Sequence, residues 1–393
     1  MTEQWITAPT RRVAAVPAPH TRRDTVRDRL GDLIDGARLM VNAQVTRRHP
    51  VSLVHFVTRR CNARCSFCFI DFEDPVPRSQ EMTLDEIDRM TRTLGPTLAN
   101  VNLTGGEPFL RRDLVEVTRR YYMNAGVRSV YVTTNGTFTE RTESFAHSLA
   151  AEFPDRMTIV SLSVDGIAEE HDRIRRVDGL FDRAINTYHA VDAVGHGVMA
   201  NVAITVSHEN YPTIPDLYEA LVHHHGVRSV SAIIVRDEGV HEVPEDARVG
   251  VLESYRWLTS RIVADQRAGT VHGYDPSTIQ GRLMNRKNAI LYDIIEDIYL
   301  DPHFVSPCRA AALFGVVDVD GCVYPCEVLE APLGNLRDHD MDFSALWAAS
   351  PASDARQLIV DGKCHCSYEC AWGFNILGNA RYQPRLLSAV LRA

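Results

Sequence analysis

The chain has no apolar run long enough to span a bilayer, which excludes a helical membrane protein at this level of reading. It has no apolar stretch followed by a small-residue cleavage site near its start, so a secretory leader is not expected and a cytoplasmic location is. It lacks excess positive charge. A formal net charge of −9 argues against a protein that binds nucleic acid through phosphate contacts. No internal repeat or low-complexity segment interrupts it. Cysteine is missing from positions 69–307 altogether, and the nine cysteines crowd into what remains. A secreted disulfide scaffold is shorter and denser in cysteine, so this crowding reads as metal ligation rather than cross-linking.

At 393 residues, 45% hydrophobic and 24% charged, the chain can build two or three domains around a large core. Residues 1–50 read as an extension: a polar, proline- and arginine-bearing tail leading to a short helix near Val26–Val41. From Val51 a strand–helix rhythm starts. Strands are expected at Val51–Thr58, Asn100–Leu103, Ser129–Thr133, Met157–Val164, Met199–Val206 and Val227–Val235, with helices of about 10–15 residues between them. This predicts an α/β core over 51–240, a parallel sheet with right-handed crossovers and six repeating units, as in a partial (β/α)6 TIM-like barrel. An open doubly wound sheet shares this local signature. Residues 241–300 are expected to be a helical linker, with helices over Ala247–Gln266 and Thr278–Tyr299. Residues 301–393 switch to short strands, turns and six cysteines, the texture of a small cluster-binding domain.

Three motifs carry chemistry. Cys61, Cys65 and Cys68 form a C-x3-C-x2-C loop directly after the first strand. Three thiolates can hold three corners of a cubane [4Fe–4S] cluster, which ordinarily takes four. The uncapped iron is then open to a chelating amine and carboxylate. Zinc is the competing occupant, but a structural zinc needs four ligands and the loop offers three thiols with His55 before it. Second, Thr104-Gly105-Gly106-Glu107-Pro108 ends the second strand, where paired glycines permit close backbone approach and Glu107 can receive an ammonium group. Third, Cys308 and Cys326 flank Gly321, and Cys364, Cys366 and Cys370 follow, with Cys322 between the two sets. Further polar groups stand at strand ends: Asn135, Ser163, Asp165, and the run His171-Asp172-Arg173-Ile174-Arg175. Each of these has a local alternative, since Asn135 and Asp165 adjoin glycines and the arginines could be a solvated helix face.

The cysteine loop, with Phe67 before its last thiol, resembles that of radical S-adenosylmethionine (radical SAM) enzymes. Gly105-Gly106-Glu107-Pro108 resembles the element that binds the methionyl amine of S-adenosylmethionine in that family. The resemblance covers about residues 50–375 and implies cofactor contacts from Gly105, Gly106, Glu107, Pro108, Asn135, Ser163 and Arg175, with Ser163 and Arg175 on the ribose and carboxylate. The Cys308-to-Cys326 spacing around Gly321, with Leu333-Gly334-Asn335-Leu336 and Leu346-Trp347, resembles the SPASM and twitch extensions of the same family. It implies an auxiliary [4Fe–4S] cluster held by Cys308, Cys326 and two of Cys364, Cys366 and Cys370. A full SPASM domain has seven cysteines and two such clusters; six are present here, so one auxiliary cluster is expected, two being the alternative, and Cys322 belongs either to an open or second site or to no cluster, as an ordinary buried thiol. A zinc knuckle is the alternative occupant of these thiols.

The resemblance further implies flavodoxin or ferredoxin as reductant, and a small-molecule substrate such as a sugar, cyclitol or natural-product scaffold undergoing net oxidation or tailoring. A ribosomal-peptide maturase acting on a precursor peptide is the alternative, and a non-catalytic zinc or redox-sensing scaffold a third. No residue stands out as catalytic acid, base or hydrogen donor; Tyr255, Tyr274, Tyr292 and Glu238 qualify only by position.

Overall fold

The structure, a computed structural model, describes residues 37–46, 48–70, 77–236 and 242–391. Of the helix expected near Val26–Val41 only residues 37–41 are described, and they are helical; Glu238 lies outside the described residues. Six parallel strands form in chain order: β1 (Ser52–Thr58), β2 (Asn100–Gly105), β3 (Ser129–Thr134), β4 (Met157–Ser163), β5 (Val198–Val206) and β6 (Val230–Ile234). All six strands fall where the hydrophobic pattern puts them, and the parallel α/β sheet with its helical crossovers is that of a partial TIM-like barrel.

The crossovers are α1 (Leu84–Thr91), α2 (Leu114–Arg120), α3 (Thr139–Glu152), α4 (Glu169–Arg175) with α5 (Leu180–Asp192), and α6 (Ile214–Glu219). Local chemistry sets their ends. Thr83 and Glu86 close a capping box at the start of α1, and Gly126 at φ 66° ends the turn that extends α2. Strands β2, β3 and β6 alternate between half-buried and buried positions. Leu53, Leu103, Val132 and Leu162 are fully buried on one face, each worth about 1.5–3 kcal/mol of transfer free energy. The other face carries Asn102, Tyr131, Thr133, Ser161, Asn201 and Ser231, all half-buried. Register puts Thr133 level with Ser161 and Ser161 level with Asn201. The Asn201 amide donates to Ser161 and Ser231, both at 3.0 Å, and Thr133 donates to Asn102 at 3.2 Å. The concave face is therefore a polar lumen, which six hydrophobic strands alone would not produce.

The sheet does not stop at β1. Strand β7 (Phe314–Val317) adds in parallel to β1, and β8 (Cys322–Tyr324) and β9 (Gly334–Asn335) follow antiparallel, giving the order β6-β5-β4-β3-β2-β1-β7-β8-β9. The cysteine-rich C-terminal segment is thus fused to the barrel's first strand. Two long helices, α7 (Glu245–Ala268) and α8 (Ile279–Tyr299), occupy the expected linker. The chain ends in α9 (Phe343–Ala348), α10 (Ser350–Asp361), α11 (Glu369–Gly378) and α12 (Gln383–Leu391), with α8 packed on α11 and α12. No helix among the described residues is long and apolar enough to cross a membrane.

His55 of β1 is fully buried against α2, its Nδ1 hydrogen-bonded to the Tyr121 hydroxyl at 2.8 Å. Burial, aided by the charge of Arg111, pulls its pKa from 6.5 to about 3. The fold therefore selects neutral His55: this stabilisation is complete above pH 6.5 and drains away as pH falls toward 3. Each pH unit in that window should cost about 1.4 kcal/mol at this group. Urea midpoints of the apoprotein between pH 7 and 5 should drop less in His55→Gln than in the parent; equal slopes would contradict the assignment.

Candidate cofactor site

The cysteine loop leaves the C-terminal end of β1, the end at which barrel chemistry collects. Two glycines let β2 lie against it. A side chain on Gly105 would put Cβ 2.0 Å from the Thr58 carbonyl, and one on Gly106 would put it 2.1 Å from that of Arg60. The Gly106 and Glu107 amides donate to those same two carbonyls at 2.8 Å. The Gly-Gly-Glu turn is thus zipped to the backbone just before Cys61, for which only glycine leaves room.

Glu107 is fully buried. Its carboxylate accepts from the Phe109 amide (3.0 Å), the Thr134 hydroxyl (2.8 Å) and the Asn135 amide (2.8 Å). Burial pushes its carboxyl above the usual range, against these hydrogen bonds. Pro108 starts a buried 3-10 turn behind it. Asn135 is also buried; its side-chain amide donates to Asn62 of the cysteine loop at 2.9 Å, and its oxygen accepts from Thr137. Glu107 and Asn135 thereby tie the ends of β2 and β3 to each other and to the loop.

Arg175 is buried at the end of α4, with its guanidinium paired to Asp165, which is fully buried at the end of β4. Asp165 also accepts from the Thr205 amide at 2.9 Å. The Arg175 and Ile174 carbonyls accept from Arg64 and Ser66 of the loop, both at 3.2 Å. The guanidinium lies 5.7 Å from the centre of the Phe67 ring and within electrostatic reach of Cys65 and Cys68. His171 accepts the Asp165 amide at 3.1 Å. The arginine run is therefore partly interior: Arg175 supports the loop, while Arg173 is surface-exposed and paired with Glu209. Ser163 is half-buried at the last position of β4, level with Ala203 of β5.

The three loop thiols influence one another. Burial raises Cys61 to about 11, and raises Cys68 against the opposing charges of Arg175 and Arg64. Ala63 donates its amide to Cys61 Sγ at 3.3 Å. Three thiols in one loop, with a buried cation within electrostatic reach of Cys65 and Cys68 and a backbone donor on Cys61, suit a thiolate-held cluster. Among the described residues no three His, Cys, Asp or Glu side chains converge on one ion; thiols that hold a cubane ligate different irons and stand apart.

The C-terminal thiols divide. Cys308, Cys326, Cys364 and Cys366 pack together against Leu313, Phe314, Ile359 and Tyr368. A hydrogen bond between the Cys308 and Cys364 thiols, with burial, pushes Cys308 up, and the same bond pushes Cys364 down. The Leu329 amide donates to Cys326 Sγ at 3.2 Å, and the Trp372 indole to the Cys366 carbonyl at 2.7 Å. Cys322 lies apart on β8 beside Tyr324 and Asp320. Cys370, in the first turn of α11, is exposed and also lies apart, within electrostatic reach of Glu327, Arg236 and Glu369.

Between the two thiol groups lies Arg236, just past β6. Its guanidinium stacks 4.9 Å from the Phe69 ring and 4.3 Å from the Tyr368 ring, and pairs with Glu327, which accepts from the Tyr368 hydroxyl at 2.6 Å. Half-buried Tyr131 of β3 meets the exposed Tyr274. Tyr292 stands edge-on to buried Tyr255, centroids 6.2 Å apart, and burial raises it to about 12. Burial pulls Lys287 of α8 down to about 8. Sequence reading singled out Tyr255, Tyr274 and Tyr292 but missed Tyr131, Arg236, Glu327, Tyr368 and Lys287. Only Tyr131 left a signal, an alternate position on a strand whose other face is core.

Comparison with known proteins agrees with this geometry. Residues 56–221 match the model of the radical SAM superfamily. The chain is 27% identical over 354 residues to the AdoMet-dependent heme synthase of Oleidesulfovibrio alaskensis, covering 84% of this chain and 86% of that protein. It is 30% identical to the Fe-coproporphyrin III synthase of Methanosarcina barkeri and 31% to the GTP 3',8-cyclase of Caulobacter vibrioides, over 44% and 42% of this chain. It spans only 41% and 46% of those two proteins, about half their length. Among solved structures, anSMEcpe with bound AdoMet superposes with a TM-score of 0.60 at 20% identity, over 88% of this chain and 96% of that one. Streptococcus suis SuiB does so at 0.56 and 16%, over 86% and 75%. The matched stretch is a radical SAM domain, and the cofactors that domain implies are a [4Fe–4S] cluster and S-adenosylmethionine.

Removing the charge of Arg175 should leave Asp165 buried and unpaired. Arg175→Met should lower apoprotein stability by about 3–5 kcal/mol and reduce iron bound per chain after anaerobic reconstitution. An unchanged urea midpoint with full iron would contradict the supporting role.

Proposed function

We propose that this radical SAM enzyme abstracts hydrogen from a small organic molecule held in the polar lumen, in a net oxidation or tailoring step, and receives electrons from a flavodoxin or ferredoxin. A cubane cluster with one thiolate-free iron, when bound, supplies the electron that splits S-adenosylmethionine into methionine and a 5'-deoxyadenosyl radical. In this reading Cys61, Cys65 and Cys68 hold that cluster. The Gly105–Pro108 turn and Ser163 receive the methionyl and ribosyl parts of S-adenosylmethionine. Arg175 and Asn135 act through the loop, holding it against α4 and β3. The protein's contribution is positioning and exclusion of water.

One observation supports this reading: Arg236 stacks between Phe69, beside the cysteine loop, and Tyr368, against which the four-thiol group packs. The second group, Cys308, Cys326, Cys364 and Cys366, is the proposed auxiliary [4Fe–4S] ligand set, able to take an electron from a substrate radical. Its assignment leaves Cys322 and Cys370 outside. Support for a small molecule comes from the heme synthase relative, matched over most of both chains. The peptide-maturase reading keeps one specific support: SuiB was solved with its precursor peptide SuiA, and superposes on this fold with a TM-score of 0.55.

Cys65→Ala should abolish 5'-deoxyadenosine formation by reduced, reconstituted protein; retained cleavage would refute the loop assignment. Cys326→Ala should keep S-adenosylmethionine cleavage while the auxiliary iron signal is lost and product formation falls. Undiminished turnover would remove the second thiol group from the reaction.

A further inference from the structure

Only two of the 42 Lys and Arg residues are lysines, Lys287 and Lys363. The chain meets nearly every need for a cation with arginine, and three inward arginines have fixed carboxylate partners, Arg175 with Asp165, Arg236 with Glu327 and Arg59 with Asp318, while half-buried Arg356 is held by the Ala311 and Trp347 carbonyls. Lys287 is different. It lies on the stretch of α8 from 282 to 289, every residue of which is half-buried. Its Nζ hangs over α11, where a Cβ on Gly373 would stand 3.8 Å from it. Gly373 follows Cys370 by three residues, one turn along the same helix face. Cys370 is within electrostatic reach of both Lys287 and Tyr131. Strand β3, helix α8 and helix α11 thus bring a phenol, an ammonium and a thiol to one place in the lumen.

Among the described residues no carboxylate pairs with Lys287. An ammonium drawn out of bulk water without a counter-charge is costly, and a ligand that supplies the charge recovers that cost. A lysine is a compact point charge on a flexible stem, suited to meet a ligand that comes and goes; an arginine fork suits a fixed carboxylate.

We propose that Lys287 anchors an anionic oxygen group of the substrate, a carboxylate or a phosphate, on the lumen wall beside Cys370. The anchor lies on the substrate side of the cavity and needs no contact with either thiol group proposed to hold iron. It rests on the reading above that the lumen is the substrate site.

The paucity of lysine makes the test direct. Anaerobic, cluster-loaded full-length protein is treated with a trace of acetic anhydride, and acetylation of Lys287 and Lys363 is followed by peptide mass spectrometry. Glutarate and inorganic phosphate are added in separate series, and S-adenosylmethionine cleavage is assayed on the same preparation. One of the two anions should slow acetylation of Lys287 by the factor 1 + [L]/Kd while Lys363 is unaffected. Protection by glutarate identifies a carboxylate site, protection by phosphate a phosphate site. If neither anion changes the ratio of the two lysines, the anchor is refuted, even where cleavage is intact. If Lys287 is protected but S-adenosylmethionine is not cleaved, the anion site stands and the catalytic reading fails.

Discussion

The site hangs on the buried ion pair between Asp165 and Arg175. Asp165 is fixed at the end of β4 by the amide of Thr205 and by His171, and it holds the guanidinium in the protein interior. That guanidinium faces Phe67, Cys65 and Cys68, while the backbone carbonyls at 174 and 175 take two amides of the cysteine loop. A loop meant to present three thiols cannot rely on a core of its own. It is held by a charge pair that is strongly penalised when broken, and by the glycines that let β2 close against it from the other side.

A second bridge gives the lumen its far wall. Arg236 stacks between Phe69, one residue beyond the cysteine loop, and Tyr368 of the C-terminal segment, and Glu327 compensates its charge. Because β7 pairs directly with β1, the C-terminal thiols are positioned by the same strand that launches the cysteine loop. The two thiol groups are therefore held by one continuous sheet.

Much of this was legible in the residues. The strand–helix rhythm from Val51 onward, and the Cys61–Cys68 and Gly105–Glu107 motifs with the family they resemble, are enough to expect the parallel α/β core and the cofactors. What could not be read is what long-range packing decides. The pattern at His171–Arg175 is compatible with a solvated helix face, and only tertiary contact buries Arg175. The three cysteines from 364 to 370 look equivalent in sequence. The start of α11 between Cys366 and Cys370 separates them, turning Cys370 toward Arg236 and Lys287. The continuation of the barrel sheet by β7 gave no sign in a four-residue apolar run.

The central claim is that the cluster of the Cys61–Cys68 loop has an iron open to S-adenosylmethionine. Electron paramagnetic resonance of the anaerobically reconstituted, reduced protein tests it directly. Adding S-adenosylmethionine should alter the signal of one reduced [4Fe–4S] cluster as its amine and carboxylate reach the open iron. A spectrum identical with and without S-adenosylmethionine would contradict the account.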